Sequence, residues 1–280
     1  MATVIVANDL VGVGKVALTS SLPIMSACQT EVLPLPTVLL SSHTGEFENI
    51  YMRDLTDDLK GFYKQWEHLD FTVDGLVSGY FKSREELKIV GQLARDKRIA
   101  LFVDPIMGDN GRLYQGFDME YVEAMKDFCQ QADAIIPNLT EASLLTDSPY
   151  LEVGSYDEAT IEKLLRELSK LGPRKVILTG ISFKTDKIGL AYFDKETNKT
   201  TYLMRKSYKS HFYGSGDLVT AILASGYFHH LNLLKVANLA LDFMDQVLSS
   251  TLASGRPLKY GLCYEPHIGY LFNGINELLE

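Results

Sequence analysis

The run His211-Phe-Tyr-Gly-Ser-Gly-Asp217 leads straight into Leu218-Val-Thr-Ala-Ile-Leu-Ala-Ser-Gly-Tyr-Phe228, a mostly apolar stretch that predicts a helix. The first turn of a helix has N–H groups without intrahelical partners and carries the positive end of the dipole, so it favours an anion. Gly214 and Gly216 lack a Cβ and let those N–H groups come close to a phosphate, with the Ser215 hydroxyl between them. Asp217 lies in the same turn, within reach of a hydroxyl attacking that phosphate, and could take its proton. Anion stabilisation and a base together are what phosphoryl transfer to an alcohol needs. As plain helix-start residues the same types would only be caps. A second constellation separates the readings: Asn138-Leu-Thr140-Glu141 follows the apolar run Ala132-Asp-Ala-Ile-Ile-Pro137 and precedes Ala-Ser-Leu-Leu. This puts a carboxylate at the C-terminal edge of a strand, where ligands bind in open α/β sheets.

The elements that must position these residues alternate along the chain. Val4–Ala7, Val32–Leu35, Val38–Leu40, Gly75–Val77, Ile99–Val103, Ala134–Ile136 and Val176–Thr179 read as strands. Val13–Cys28, Asp57–Glu67, Ser83–Lys97, Met119–Gln131, Asp157–Leu171, Asp217–His230 and Leu234–Ser254 read as helices. The alternation predicts an α/β fold of three layers, a mostly parallel central sheet with helices on both faces. Ile188–Asp194 and Lys199–Tyr208, joined by Lys195-Glu-Thr-Asn198, predict an antiparallel edge hairpin. No Pro/Gly/Ser-rich linker, repeat or low-complexity tract divides the chain, so one domain over 1–280 is expected.

A net charge of −9 argues against nucleic acid or an anionic membrane as partner. Phosphate binding is then local and calls for help from a cation. The three cysteines, at 28, 129 and 263, form no metal or redox pair and read as structural thiols in a reducing compartment. The N-terminus reads directly as a strand, without the basic and apolar segments of a secretory signal, so a cytoplasmic location is expected.

Gly12-Val-Gly14-Lys15-Val-Ala17 matches the G-x-G-x-x-A dinucleotide pattern, with Glu31 downstream as the ribose contact. Asn8-Asp-Leu-Val11 separates it from the first strand, and Glu31 precedes its strand instead of ending it, which weakens the match. A Walker A reading fails because Asp9 stands at the first glycine and Val16 at the Ser/Thr.

Gly214-Ser215-Gly216-Asp217 and Asn138 to Glu141 resemble the two motifs of the ribokinase-like superfamily. Ser41-Ser-His43-Thr44-Gly45, Ser78-Gly-Tyr80 and Asp104-Pro-Ile-Met107-Gly108-Asp109-Asn-Gly-Arg-Leu-Tyr114 are similar to segments of its pyridoxal (vitamin B6) kinases, in family order. The resemblance implies ATP- and Mg2+-dependent phosphorylation of a 5′-hydroxymethyl group on a B6 vitamer, and a homodimer; it leaves a need for K+ open. It assigns Asp217 as base and Gly214, Ser215 and Gly216 as anion hole. Asp104 and Glu141 fall to Mg2+, and Asn138, Thr140, Thr179 and Gly180 to the nucleotide side. Asn8, His43, Thr44, Tyr80 and Asp109 fall to the substrate, with Gly108–Tyr114 as a lid; whether Asn8 or Asp9 touches substrate stays open. Ser215 stands where the family has Thr, and Asn8 where it has Ser. A hydroxymethylpyrimidine kinase of thiamine synthesis is the near alternative, although that branch ends the first motif in Cys instead of Asp217. Sugar and nucleoside kinases carry an N-terminal pair of glycines and a β-sheet lid not found here. A catalytically silent ligand sensor on the same fold is the alternative from another class.

Overall fold

The computed structural model describes residues 1–280, and the chain forms two compact units. Met1–Val77 and Tyr208–Glu280 make the first; Ser78–Ser207 make the second.

The first unit opens with β1 (Ala2–Val13), α1 (Ala17–Ala27), β2 (Thr30–Ser42), β3 (Met52–Asp54), α2 (Thr56–Trp66) and β4 (Gly75–Ser78). Its strands lie in the order β4-β1-β2-β3, with β1 and β2 parallel and β3 antiparallel to β2. The strand over Val4–Ala7 continues to Val13, because Leu10, Val11 and Val13 pair with Leu39, Leu40 and Ser42. The helix expected from Val13 therefore starts only at Ala17, after Gly14 turns the chain at a φ of 102°. The two strands expected at Val32–Leu35 and Val38–Leu40 are one strand, β2, running through Pro34 and Pro36. β3 pairs with β2 only at Val38–Leu40, so at both prolines one side of the strand carries no ladder for the missing N–H to break.

The second unit contains α3 (Arg84–Lys97), β5 (Ala100–Val103), β6 (Gly108–Asp109), β7 (Arg112–Leu113), α4 (Met119–Cys129), β8 (Ala134–Ile135), α5 (Leu139–Leu145), α6 (Glu158–Leu171), β9 (Lys175–Lys184), β10 (Lys187–Asp194) and β11 (Lys199–Lys206). Here the order is β5-β8-β9-β10-β11: β5, β8 and β9 are parallel, and β10 and β11 form the expected antiparallel edge. β6 and β7 pair separately as a small antiparallel ribbon. β9 does not end at Thr179-Gly180 as expected. Gly180, at a φ of 72°, makes an irregularity opposite Gly189-Leu190, and pairing resumes to Lys184. Side chains of Ser83, Asp118, Asn138 and Asp157 accept first-turn N–H groups of α3, α4, α5 and α6, fixing where these helices begin.

The chain returns to the first unit for α7 (Ser215–Phe228), α8 (Leu233–Ala253) and α9 (Ile268–Leu279). Apolar along most of its length, α7 buries nearly every residue from Leu218 to Phe228, so its first turn stands on a rigid support. α9 was not expected; Gly269 and Gly274 dilute its pattern, yet it buries Leu271 and Ile275. Burying a side chain such as Ile24, Leu218 or Ile222 stabilises the unit by about 1.5–3 kcal/mol each. No helix is long and apolar enough to cross a membrane.

Candidate active site

In the first unit the site is built around the start of α7. Gly214 is its N-cap, left-handed at φ 86°, and no side chain caps the turn. A Cβ on Gly214 would lie 2.2 Å from the Lys15 carbonyl oxygen, so only glycine fits. Gly216 is different: its ideal Cβ has no heavy atom within 4 Å, which leaves open space beside the first-turn N–H groups. The Ser215 hydroxyl donates to the Phe212 carbonyl at 3.0 Å.

The carboxyl of Asp217 is held from three directions. It accepts the Ala17 N–H, its own N–H and the Asn8 side chain. Burial raises its titration above the ordinary carboxylate range, and the three hydrogen bonds pull it back. Asp9, buried on β1, is pushed up to about 8, by burial first and then by the charge of Asp217. At neutral pH Asp9 therefore keeps its proton. The sequence offers Asp9 as a misfit to the phosphate loop and an alternative to Asn8 at the substrate, and Ala17 only as the end of the G-x-G-x-x-A pattern; neither reading points to Asp217. In the structure Ala17 is left-handed at φ 50° although it carries a Cβ, and Asp9 lies at the register shift between Asn8 and Leu10.

The backbone of the Gly12–Lys15 segment is closely packed: a Cβ on Gly12 would lie 2.9 Å from the Ser41 carbonyl oxygen. Lys15 is wedged between Gly214 and Gly261, where a Cβ would come within 2.7 Å of the Lys15 nitrogen. The Lys15 ammonium turns to Glu265 at 2.6 Å and to the Leu262 carbonyl at 3.0 Å.

His43 is buried, and both ring nitrogens are engaged. Nδ1 accepts the Gly45 N–H at 3.0 Å, so Nε2 carries the proton and donates to the Lys259 carbonyl at 2.5 Å. Burial lowers its titration below the usual imidazole range. The ring stacks on Tyr213 at 4.7 Å and meets the edge of Phe47 at 4.9 Å. Tyr213 immediately precedes Gly214, so the imidazole bears on the glycine turn. Thr44 is exposed beside it.

In the second unit Asn138 and Glu141 form a complete capping box. Asn138 Oδ1 accepts the N–H groups of Thr140 at 2.8 Å and Glu141 at 3.0 Å, and Glu141 Oε2 accepts the Asn138 N–H at 2.8 Å. Glu141 Oε1 takes the Met107 N–H at 3.3 Å. Glu141 is raised well above the ordinary range, by burial first and then by Asp104. Asp104 is itself buried after β5. Two buried carboxyls close enough to repel each other suit a divalent cation that keeps most of its water and needs only one or two protein oxygens, as Mg2+ does. No group of three or more His, Cys, Asp or Glu side chains forms an all-protein cage.

The polar atoms of Asn138 and Thr140 also reach the β6–β7 ribbon. Asn138 Nδ2 donates to the Gly108 carbonyl at 2.9 Å, and Thr140 Oγ1 accepts the Gly111 N–H at 2.9 Å. Thr179 lies beside Asn138 through a parallel bridge, and its N–H donates to the Pro137 carbonyl at 2.9 Å. Gly180 has open space around its Cα. The Asp109 carboxylate accepts the backbone and side-chain N–H groups of Asn110 at 2.8 and 2.9 Å, and Tyr114 is exposed. Tyr80 packs at 5.6 Å from Phe117, which stacks on Tyr121 at 4.0 Å.

With the geometry in place, the likenesses to known proteins are informative. A family model described as phosphomethylpyrimidine kinase matches residues 56–260. The structure of pyridoxal kinase from Lactobacillus plantarum is 31% identical, covers 99% of this chain and 98% of its own, and has a TM-score of 0.91. A Bacteroides thetaiotaomicron protein provisionally named a phosphomethylpyrimidine kinase, in a crystal form with pyridoxal, is 29% identical with a TM-score of 0.90, over 98% of this chain and 96% of that one. The pyridoxal kinase of Dictyostelium discoideum is 28% identical over 212 residues, 69% of this chain and 67% of that enzyme. The matched stretch spans from 62% to 76% of the curated relatives' own lengths. These likenesses establish the ribokinase-like α/β fold.

Proposed function

Because the chain belongs to the phosphomethylpyrimidine kinase family, we propose that it transfers the γ-phosphoryl group of ATP to the 5′-hydroxymethyl group of pyridoxal, giving pyridoxal 5′-phosphate, with pyridoxine and pyridoxamine as further acceptors. The observation that carries this reading is Asp217, a hydrogen-bonded carboxylate in the first turn of an uncapped helix with open space at Gly216.

In this reading Asp217 takes the proton of the acceptor hydroxyl as its oxygen bonds to the γ-phosphorus and ADP leaves. Base catalysis of this kind contributes roughly 10²–10⁴-fold. The first-turn N–H groups after Gly214 stabilise charge on the γ-phosphoryl oxygens. Asp104 and Glu141 would hold Mg2+, whose charge, when bound, offsets that of the nucleotide phosphates. Asn138, Thr140, Thr179 and Gly180 are assigned to the nucleotide side, and Thr44, Tyr80 and Asp109 to the acceptor. His43 acts by packing on Tyr213, since its nitrogens are taken. Residues 1–280 are taken as one kinase domain. A cytoplasmic homodimer and a use for K+ rest on the family likeness and on the sequence, and light scattering and activity with and without K+ check the dimer and the cation.

A hydroxymethylpyrimidine acceptor is the second reading, favoured by the family match and by a 23% identical hydroxymethylpyrimidine/phosphomethylpyrimidine kinase of Aquifex aeolicus. The deciding experiment offers pyridoxal, hydroxymethylpyrimidine and ribose separately to the purified protein with ATP and Mg2+. ADP release is followed and the product is identified by mass. Pyridoxal consumed best supports the B6 reading; hydroxymethylpyrimidine consumed best replaces it. Binding of one acceptor without turnover of any would instead make the chain a sensor.

A further inference from the structure

We propose that Asn8 is the positioning residue of Asp217: its side-chain amide, together with the Ala17 N–H, fixes which face of the carboxylate is left for the acceptor hydroxyl. The proposal rests on the kinase reading above and assigns to Asn8 a role other than contact with substrate.

The orientation of the amide follows from its partners. Asn8 Oδ1 accepts the Asp9 N–H at 2.9 Å. The oxygen is thereby occupied by a donor, so the NH2 group is the end that meets Asp217, as an ionised carboxylate requires. The second donor comes from α1. Ala17 adopts a left-handed backbone that a Cβ-bearing residue avoids, and its N–H ends on the Asp217 carboxylate. One donor from a strand and one from a helix start, both on buried elements, hold the carboxylate more tightly than exposed side chains would.

The charges around Asp217 are few. α7 carries no other charged residue, and Lys15, ahead of α1, has its ammonium on Glu265 and the Leu262 carbonyl. From β1 comes Asp9, which keeps its proton at neutral pH and adds no second negative charge.

The test compares wild type with Asn8→Leu and Asn8→Ser, using kcat, KM for pyridoxal, the pH profile and a carbon NMR titration of the Asp217 carboxyl without substrate. The carboxyl signal is assigned by its loss in Asp217→Asn. Losing a hydrogen bond to a charged group predicts a fall in kcat of roughly 10-fold or more in Asn8→Leu. The acid limb and the carbon titration move to higher pH together, because the charged form has lost a donor. KM for pyridoxal stays within about two-fold. Asn8→Ser, which keeps a donor, recovers part of the loss and carries the test should Asn8→Leu not fold. A rise in KM with an unchanged titration would show that Asn8 touches substrate, and the proposal would fall. It would also fall if neither variant changed anything. A wild-type protein that phosphorylated no acceptor would sink the kinase reading instead, while the carbon titration would still decide the Asn8–Asp217 pairing.

Discussion

Each unit places an acidic residue at N3 of a helix, and the two starts are built in opposite ways. In α5 the turn is closed: Asn138 and Glu141 satisfy each other's N–H groups, and Asn138 also holds Gly108. In α7 the turn is left open: Gly214 offers no side chain, and Asp217 is held instead by Ala17 and Asn8, from other elements. A closed cap stabilises its own helix by about 0.5–2 kcal/mol and has little left for a ligand. An open one gives up that stabilisation and keeps donors available for an outside anion. The contrast teaches that the glycine turn leaves first-turn donors open to an outside group, whereas the Asn138–Glu141 motif spends its donors on its own cap and on the Gly108 carbonyl.

If that contrast holds, the largest effect comes from Asp217→Asn, which removes the proton acceptor and keeps the shape. Turnover should fall by roughly 10²–10⁴-fold with KM changed only a few-fold, as read in steady-state kinetics. Gly214→Ala should come next. It forces a Cβ into a left-handed residue against the Lys15 carbonyl, so both activity and the melting temperature drop. Gly216→Ala meets no neighbour, so it should melt like wild type and lose only kcat/KM for ATP. A loss of stability there would break the assignment of open space to phosphate. Asp104→Asn relieves the repulsion on Glu141, so the metal-free protein should melt higher while more Mg2+ is needed for half-maximal rate. On the closed side, Asn138→Ala should cost about 0.5–2 kcal/mol of stability in urea titrations, through loss of the cap.

The smallest effect is a pH dependence of stability. His43 titrates below its usual value when folded, so the unfolded chain takes up its proton first. Stability from this residue is fully present above about pH 6.5 and declines as pH falls below it. A melting series between pH 7.5 and 5 should show the slope, and His43→Asn should flatten part of it. His229, lowered in the same direction by burial, carries a remaining share.

What was legible in the sequence is what neighbouring residues decide. The start of α7, the cap at Asn138 and the β10–β11 hairpin depend on short-range patterns, and each was readable from a few adjacent residues. What joins distant residues was not. Nothing near His43 in the sequence shows that its Nε2 meets a carbonyl 216 positions away. That the Asn8 side chain bonds to Asp217, more than two hundred positions away, is likewise invisible in the sequence. The length of β1 is set by its partner β2, so a helix begun at Val13 on local glycine and valine content came too early. α9 was missed because two glycines lower its intrinsic helix preference, while burial of Leu271 and Ile275 restores it.

The wedge of Lys15 between Gly214 and Gly261 sets how this protein can be changed by design. A library that varies one position at a time would find 214 and 261 closed to every side chain and 216 open, although all three read alike in the chain. Reshaping the glycine turn therefore means redesigning three separate stretches of backbone at once, those around residues 15, 214 and 261. Variation is better sought at Gly216, where added atoms meet nothing and the backbone is not left-handed; Gly180 has the space but, at a φ of 72°, not the backbone.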